Sequence, residues 1–171
     1  MTSVYFFDCT EKSLKLPEAF PENVISHCKK DESLAAAAAL IDMGVLNLHY
    51  EENGKPLADN CFVSISHSEN MIAVCTSDKP VGIDIEYIDD SRNFCRLADR
   101  FFKGKELEAF NNSPNALTFY EIWTKKEAYS KILGSGTAEI FKGFDVFSLN
   151  NAVFHTEQAN DYIITLCEKA D

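Results

Sequence analysis

Three carboxylates and a lysine in the second half of the chain have the residue types and spacing of a metal site. In the run from Val81 to Glu86, Ile83 and Ile85 alternate with Asp84 and Glu86, as in a strand with one buried face. Asp84 and Glu86 would then point the same way, with Cα atoms about 6.5–7 Å apart. Further along, Glu127 lies four residues before Lys131, which puts both on one face of a helix. Acids converging from two rigid elements suit a hard divalent cation such as Mg²⁺.

The composition restricts the classes of function. The chain has 171 residues, of which 46% are apolar and 12% aromatic, enough for a sizeable core. Its formal net charge of −11 argues against generic nucleic-acid binding and against an anionic membrane as partner. We find no basic segment followed by a long apolar run at the start of the sequence. No secretion signal or membrane span is therefore expected, and the cytoplasm is the default compartment.

The cysteines show no metal-binding or redox spacing. None of the six forms a C-x-x-C pair, and most lie among apolar residues. We interpret them as reduced, largely buried thiols, with zinc ligation or a catalytic thiol as the alternatives.

Hydrophobic periodicity places the candidate residues on secondary-structure elements. The pattern predicts an alanine-rich helix ending at Gly44, a hairpin, a strand over the first two acids, two short helices, one long helix and three short strands in the tail. In sequence order these elements are Leu34–Met43, Phe62–Ser68 with Met71–Cys75, Gly82–Glu86, the region Phe94–Phe110, Leu117–Leu133, and then Phe144–Leu149, Ala152–Thr156 and Tyr162–Cys167.

A weak internal repeat predicts the fold class. Each half has a helix, a glycine-containing turn and a strand–turn–strand unit. We therefore expect an α+β fold of two similar halves, residues 1–80 and 81–171, each a small antiparallel sheet packed on a long helix. A pseudo-twofold would relate the halves, and Asp84 and Glu86 would lie at their interface, a preferred place for ligand clefts.

Each signal taken alone has a purely structural explanation. Asp84 and Glu86 could be solvated acids on an exposed strand face, and Glu127 with Lys131 could be an ordinary helical ion pair. Lys55 could be a solvated turn lysine and His67 a hydrogen-bonded core histidine. Together these explanations are less satisfactory, because three converging acids repel one another unless a cation lies between them.

Four short motifs in fixed order resemble those of the 4′-phosphopantetheinyl transferases. The order and spacing are similar to the surfactin-synthetase-activating type, in which two similar halves lie in one chain and a monomer is expected. The resemblance runs from about Lys29 to the C-terminus. The motifs are Gly54-Lys55-Pro56, Ile65-Ser66-His67-Ser68, Gly82-Ile83-Asp84-Ile85-Glu86, and Trp123-Thr124-Lys125-Lys126-Glu127-Ala128 with Lys131.

The resemblance implies a reaction. Members of the family transfer 4′-phosphopantetheine from coenzyme A to a serine of an apo acyl or peptidyl carrier protein, and release adenosine 3′,5′-bisphosphate. Mg²⁺ would be held by Asp84, Glu86 and Glu127. Glu127 would be the general base, acting directly or through a metal-held water, and Lys131 would be the second catalytic residue.

The resemblance also implies how coenzyme A is bound. Lys126 and Lys131 would contact its phosphates, and Ser66 with His67 would hold the nucleotide's phosphates. The adenine and ribose end would lie against Lys55 and Pro56. A further acid, Glu106, occupies a position where the family often has an acid near the metal.

One departure from the family pattern concerns the 3′-phosphate of coenzyme A. Where relatives carry an arginine for this group, the chain has only leucine and alanine from Leu34 to Ala37. Lys29 or Lys30 could substitute. We therefore expect weaker discrimination between coenzyme A and its 3′-dephospho form than in relatives that have the arginine.

The carrier protein presents a separate question of charge. Carriers are usually acidic, and this chain is acidic too, so a local patch must recognise them. Arg92, Arg96 and Arg100 with Phe101 and Phe102 are candidates. Two alternative functions also remain: a non-catalytic carrier-binding or nucleotide-binding module of the same fold, and another Mg²⁺-dependent phosphate-transfer or phosphate-hydrolysing enzyme.

Overall fold

The first half of the chain forms a three-stranded antiparallel sheet, in a computed structural model that describes residues 1–10, 20, 22–28, 30–134, 140 and 143–170. The strand order is β1-β5-β4, with β1 at Ser3–Asp8, β4 at Phe62–Ser68 and β5 at Met71–Ser77. The predicted hairpin is confirmed as β4 and β5, which pair from Phe62 with Ser77 to Ser68 with Met71.

Two helices and a short ribbon complete this half. The helix α1 spans Glu22–His27, α2 spans Asp31–Asp42, and β2 (His49–Tyr50) pairs with β3 (Pro56–Leu57). The alanine run of α2 is buried from Ala35 to Ala39. Small side chains let α2 lie close to the sheet, where it shares a core cluster with residues of β4 and β5.

The second half forms another three-stranded antiparallel sheet. Its order is β6-β8-β7, with β6 at Val81–Tyr87, β7 at Ala152–Ala159 and β8 at Tyr162–Lys169. Ile83 and Ile85 of β6 are buried in the core, as the alternating pattern predicts. The fold is therefore α+β with antiparallel sheets. The boundary at residue 80 and the pseudo-twofold remain predictions.

The predicted helices of the second half are also confirmed. They are α3 (Phe94–Phe101), α4 (Gly104–Asn112) and the long α5 (Ala116–Leu133). The side chain of Asn115 caps α5 by accepting the backbone N–H of Thr118 at 2.9 Å, and Gly134 ends it in the left-handed conformation with φ 73°. Buried aromatic residues of α4 and α5 form the core between these helices.

The predicted strand at Phe144–Leu149 is wrong. This segment contains a 3₁₀ helix at Val146–Ser148, capped by the side chain of Asp145. Its backbone groups are bound by buried side chains instead of a neighbouring strand. The Phe144 carbonyl accepts from Lys126 Nζ at 2.5 Å, and the Val146 N–H donates to Glu106 Oε1 at 2.7 Å. Within the described part of the chain, none of the helices combines the length and the apolar character of a membrane span.

Candidate active site

The alternation of β6 places two acids on one side of the seam between the sheets. Ile83 and Ile85 face the core, so Asp84 and Glu86 face the other way. Asp84 is only 4% exposed, which is unusual for an aspartate that carries a charge.

Alternate serines of β4 connect the first sheet to these acids. The Ser66 hydroxyl donates to Asp84 Oδ1 at 2.8 Å, and the Ser68 hydroxyl donates to Glu86 Oε2 at 3.3 Å. The Ser64 hydroxyl accepts a backbone N–H of β6 at 3.1 Å. The three serines share one side of β4, as the period-two pattern predicts, and that side faces β6. Side chains, rather than a backbone ladder, therefore join the two sheets here.

One face of α5 completes the cluster from the other direction. Trp123 Nε1 donates to Glu86 Oε1 at 3.1 Å. Two turns later, Lys131 Nζ donates to Asp84 Oδ1 at 2.8 Å and to the carbonyl of Ile83 at 2.7 Å. Glu127 lies between them on the same helical face. The structure thus brings the predicted acids and Lys131 together from β6 and α5.

The acids influence one another's protonation. Burial, and then the charges of Asp84 and Glu86, raise the pKa of Glu127 from 4.5 to about 7, although Lys131 opposes the shift. Burial, and then the charge of Asp84, also raise the pKa of Glu86. The cluster therefore has more negative charge than the Lys131 ammonium neutralises.

Asp84 carries the clearest sign of an additional cation. Its Oδ2 atom is buried and has no hydrogen-bond partner, which is costly for a carboxylate oxygen. Among the described residues, however, no three His, Cys, Asp or Glu side chains already have the arrangement of a metal site. Oxygen donors, an unpartnered buried oxygen and mutual repulsion fit a hard cation, while the ligand set remains a prediction.

A cavity of about 210 Å³ lies on the other side of β4 from the serines. Pro56 and His67, two of the residues expected to bind the nucleotide, both line it. The rings of His27 and Tyr50 stack at 4.3 Å beside them. Lys55 lies next to this cavity and borders a second one of about 490 Å³. Asn53, in the same turn, donates to the carbonyl of Gly134 at 3.3 Å, which brings the turn to the end of α5.

A profile of the family described as "4′-phosphopantetheinyl transferase superfamily" matches residues 80–169, which include β6, α5 and the whole second sheet. This match covers more than half of the 171 residues. The chain belongs to the 4′-phosphopantetheinyl transferase superfamily.

Individual relatives of this superfamily member agree with the profile. The chain is similar to the 4′-phosphopantetheinyl transferase HetI of a Nostoc strain, with 33% identity over 58% of this chain and 46% of the relative. It is 37% identical to the transferase gsp of Aneurinibacillus migulanus, over 50% of this chain and 37% of the relative. The transferase AcpT of Escherichia coli O157:H7 is 28% identical over 88% of this chain and 82% of its own length. The chain thus spans about half or less of the first two relatives.

Two residues of this superfamily member do not lie where the resemblance implies. Lys126 and Glu106 are both fully buried and form an ion pair of 2.8 Å, away from solvent. Because i and i+1 on a helix point in different directions, Lys126 does not share the face of Glu127. The buried ion pair gives no support to a contact between Lys126 and a coenzyme A phosphate, and that contact stays a prediction. Glu106 is likewise not in the acid cluster but accepts from Lys126 and from the N–H of Val146.

Ser66 lies beside the acids, and its contact with the nucleotide's phosphates stays a prediction. It is buried and donates to Asp84, whereas its neighbour His67 is exposed and faces the cavity. Adjacent residues of a strand face opposite sides, so one short motif serves two different surfaces. Ser66 therefore lies with the acids rather than with the nucleotide-side residues.

The sequence does not predict the partners of Glu86. Trp123 and Ser68 belong to two of the four motifs, but neither is assigned a contact with this acid. Both could have been found from periodicity, because Trp123 is one helical turn before Glu127 and Ser68 is two strand positions after Ser66.

The helix α2 offers no cation that could bind the 3′-phosphate of coenzyme A. Ala36 lines the smaller cavity together with Glu32 and Ser33, so no cation of α2 reaches it. Lys30 is exposed just before α2, and Lys29 lies outside the described residues.

Proposed function

We propose that this protein transfers the 4′-phosphopantetheine group of coenzyme A to a serine hydroxyl of an apo acyl or peptidyl carrier protein. Adenosine 3′,5′-bisphosphate is the second product. The observation that carries the proposal is the meeting of Asp84 and Glu86 with Glu127 and Lys131 at the seam between the sheets, in a chain of this superfamily.

The proposed cofactor is Mg²⁺, held by Asp84, Glu86 and Glu127. The unpartnered Asp84 oxygen supports this assignment. The pKa values of both glutamates, which burial and then the charge of Asp84 raise, support it too, because a bound cation would favour their ionised forms. When bound, the ion would neutralise charge on the pyrophosphate of coenzyme A. Oxygen-only ligation fits Mg²⁺ better than zinc or copper.

The protein's own residues account for the transfer itself. The serine oxygen forms a bond to the phosphorus that bears pantetheine, and the bond from that phosphorus to the bridging oxygen of the bisphosphate breaks. Glu127 takes the serine proton as the general base. Lys131, which is 26% exposed, donates to a phosphate oxygen and so offsets the charge of the leaving group.

The nucleotide end of coenzyme A is assigned to the cavity of about 210 Å³. Pro56 supplies an apolar edge and His67 a polar group. Lys55 lies beside Gly134, at the end of the helix that carries Lys131, and we assign it to the phosphates as well. The substrate would then extend past the edge of β4, from the cavity to the acids.

Mass spectrometry tests the proposal directly. The protein is incubated with coenzyme A, Mg²⁺ and a panel of apo acyl and peptidyl carrier proteins. We expect one phosphopantetheine addition on a carrier, which disappears with EDTA and when the acceptor serine is changed to alanine. Binding of coenzyme A without any addition would favour a non-catalytic module. Release of phosphate or bisphosphate without modification of a carrier would favour a different phosphate-transfer enzyme.

We also propose a monomer that acts in the cytoplasm. Two sheets in one chain already supply both walls of the site, so a second copy is not needed for it. All six cysteines are thiols, which is consistent with a reducing compartment. Light scattering after size-exclusion chromatography tests the monomer; a stable dimer would contradict it.

A further inference from the structure

A second imidazole faces the cavity of about 210 Å³ to which the nucleotide is assigned. His27 is the last residue of α1 and lines this cavity together with His67 of β4. None of the four sequence motifs includes His27. Its side chain is exposed, so it adds little to the hydrophobic core. A titratable group from outside the motifs therefore lies where a ligand is expected.

The His27 ring is held in a defined position. It stacks on the Tyr50 ring with the centroids 4.3 Å apart and an angle of 4° between the planes. Burial raises the pKa of Tyr50, whose hydroxyl accepts from the Cys28 thiol at 3.5 Å, so the supporting ring is neutral and anchored. Stacking covers a face of the imidazole and not the edge that carries its nitrogens.

That edge lies beside the turn assigned to the ribose end of coenzyme A. A Cβ atom at Gly54 would be 3.6 Å from Nε2 of His27 and 3.9 Å from Cε1. Gly54 is the first residue of the Gly54-Lys55-Pro56 motif, and it lines the cavity together with Pro56. The 3′-phosphate is attached to the ribose. In the proposed binding mode, Nε2 is therefore at the end of the nucleotide where this phosphate lies.

The walls of the cavity need a source of positive charge to hold a phosphate. Among its described lining residues, the titratable side chains beside His27 are Cys28, Glu32, Tyr50 and His67. Glu32, in the first turn of α2, would repel a phosphate dianion. The two imidazoles are the lining groups that can become cations. A protonated imidazole would offset the charge of Glu32 and bind the phosphate.

We propose that His27 binds the 3′-phosphate of coenzyme A as an imidazolium, in place of the arginine expected from the family pattern, and so makes the preference for this phosphate depend on pH. This inference rests on the proposed function. Imidazole side chains ordinarily have a pKa of about 6.5, close enough to neutral pH for a phosphate dianion to draw a proton onto the ring. An arginine would stay charged throughout this range.

Two other assignments lead to different behaviour. A lysine stays charged from pH 6.5 to 8, so binding of the 3′-phosphate by Lys29 or Lys30 would give a preference independent of pH. The Nζ atom of Lys55 lies at the end of α5 instead, 3.0 Å from where a Cβ atom at Gly134 would be. A His27 ring that stacked on adenine would serve both forms of coenzyme A equally.

Calorimetry at two pH values tests the inference. The wild type is titrated with coenzyme A and with its 3′-dephospho form, in the presence of Mg²⁺, near pH 6.5 and near pH 8. The preference is the dissociation constant of the dephospho form divided by that of coenzyme A. It should be about three-fold or more larger near pH 6.5. Both ligands carry the pyrophosphate, so protonation of the acid cluster cancels in this ratio.

Three variants separate the charge of His27 from its shape. His27→Gln keeps a hydrogen-bonding group that cannot be charged, so the preference should be low and equal at both pH values. His27→Arg supplies a permanent cation, so the preference should be high at both. The control is His155→Gln, which removes an imidazole from β7 in the other sheet and should behave as the wild type. Thermal melting checks that every variant is folded.

The outcomes distinguish the assignments. A wild-type preference that does not change with pH, or that His27→Gln leaves unaltered, overturns the inference and favours a lysine. An equal loss of affinity for both ligands in His27→Gln also overturns it and favours stacking on adenine. If the folded wild type binds neither ligand, the proposed function fails, and the inference fails with it.

Discussion

Gly82 of β6 lies directly against the backbone of Ala128 in α5. A Cβ atom at residue 82 would be 1.9 Å from the carbonyl oxygen of Ala128 and 2.9 Å from its carbonyl carbon. No side-chain movement relieves a contact with backbone, so only glycine permits this approach. Because Glu127 immediately precedes Ala128, the same approach sets the third acid against the two acids of β6. The absence of a side chain at Gly82 therefore sets the distance between the acids of β6 and Glu127 of α5.

Gly82→Ala should separate β6 from α5. We expect it to lower the free energy of unfolding by more than about 2 kcal/mol and to abolish transfer, because strand and helix must move apart. Urea denaturation measures the first effect and the carrier assay the second. Gly44→Ala is the control: residue 44 has open space around it and a φ of 84°, so it should cost only about 1 kcal/mol. If both variants lost the same free energy of unfolding, the close contact between residue 82 and Ala128 would not be what requires glycine there.

Glu127→Gln should reduce turnover far more than coenzyme A binding. Loss of a general base lowers the rate by roughly 10²–10⁴-fold, while the amide leaves the shape of the site unchanged. Steady-state kinetics gives the rate, and calorimetry gives the affinity for coenzyme A. Glu108→Gln, at an exposed position of α4, should behave as wild type. Unchanged turnover in Glu127→Gln would remove Glu127 from the mechanism.

In the metal-free protein, the burial of Glu127 and its repulsion by Asp84 should make stability depend on pH. The pKa of Glu127 is 4.5 as a free side chain and about 7 in the folded protein, so folding disfavours the ionised form. Below pH 4.5 Glu127 is neutral in both the folded and the unfolded protein, so it does not lower the free energy of unfolding. As pH rises towards 7 the unfolded state loses its proton first, and stability falls until the folded state also ionises.

Two melting series test this instability. In EDTA, Glu127→Gln should melt at the same temperature as the wild type near pH 4 and several degrees higher near pH 8. Adding Mg²⁺ at pH 8 should raise the melting temperature of the wild type more than that of the variant, since binding to the folded state stabilises it. A variant no more stable than the wild type at pH 8, or an equal response of both to Mg²⁺, would contradict the assignment.

Lys126→Met should destabilise the fold without weakening substrate binding. Removal of one member of a fully buried ion pair leaves Glu106 unpaired, which costs about 3–5 kcal/mol. If Lys126 has no contact with coenzyme A, KM for coenzyme A in the remaining folded enzyme should be unchanged. The control is Lys125→Met, at the partly buried neighbouring residue, which should lower the free energy of unfolding far less. A large rise of KM with little loss of stability would restore the phosphate-binding role.

Discrimination of the 3′-phosphate should be weak. The α2 wall of the cavity presents Ala36, Ser33 and Glu32 rather than an arginine. Coenzyme A and its 3′-dephospho form should therefore compete within about one order of magnitude, a difference of roughly 1.4 kcal/mol. A competition assay measures the ratio, and a hundred-fold preference for coenzyme A would show that another cation binds the group.

The sequence by itself determined most of the elements around the acids and the faces on which the acids lie. Alternation in β6 and the four-residue spacing of Glu127 and Lys131 required the acids to share faces, because strand and helix periods are fixed by backbone geometry. The hairpin and α5 followed from the same periods. These features are local, and local pattern is enough to predict them.

Only the tertiary structure decided which of two adjacent residues is buried and which one joins the site. Lys126 and Glu127 are adjacent in a basic-acidic run, yet one is fully buried against Glu106 and the other joins the acids. On β4, Ser66 likewise donates to Asp84, whereas the adjacent His67 lines the cavity on the other side of the strand. The Phe144–Leu149 segment is apolar enough for a strand but gives its backbone hydrogen bonds to buried side chains. Such outcomes depend on partners distant in sequence, because a buried charge or backbone group takes whichever partner the packing brings to it.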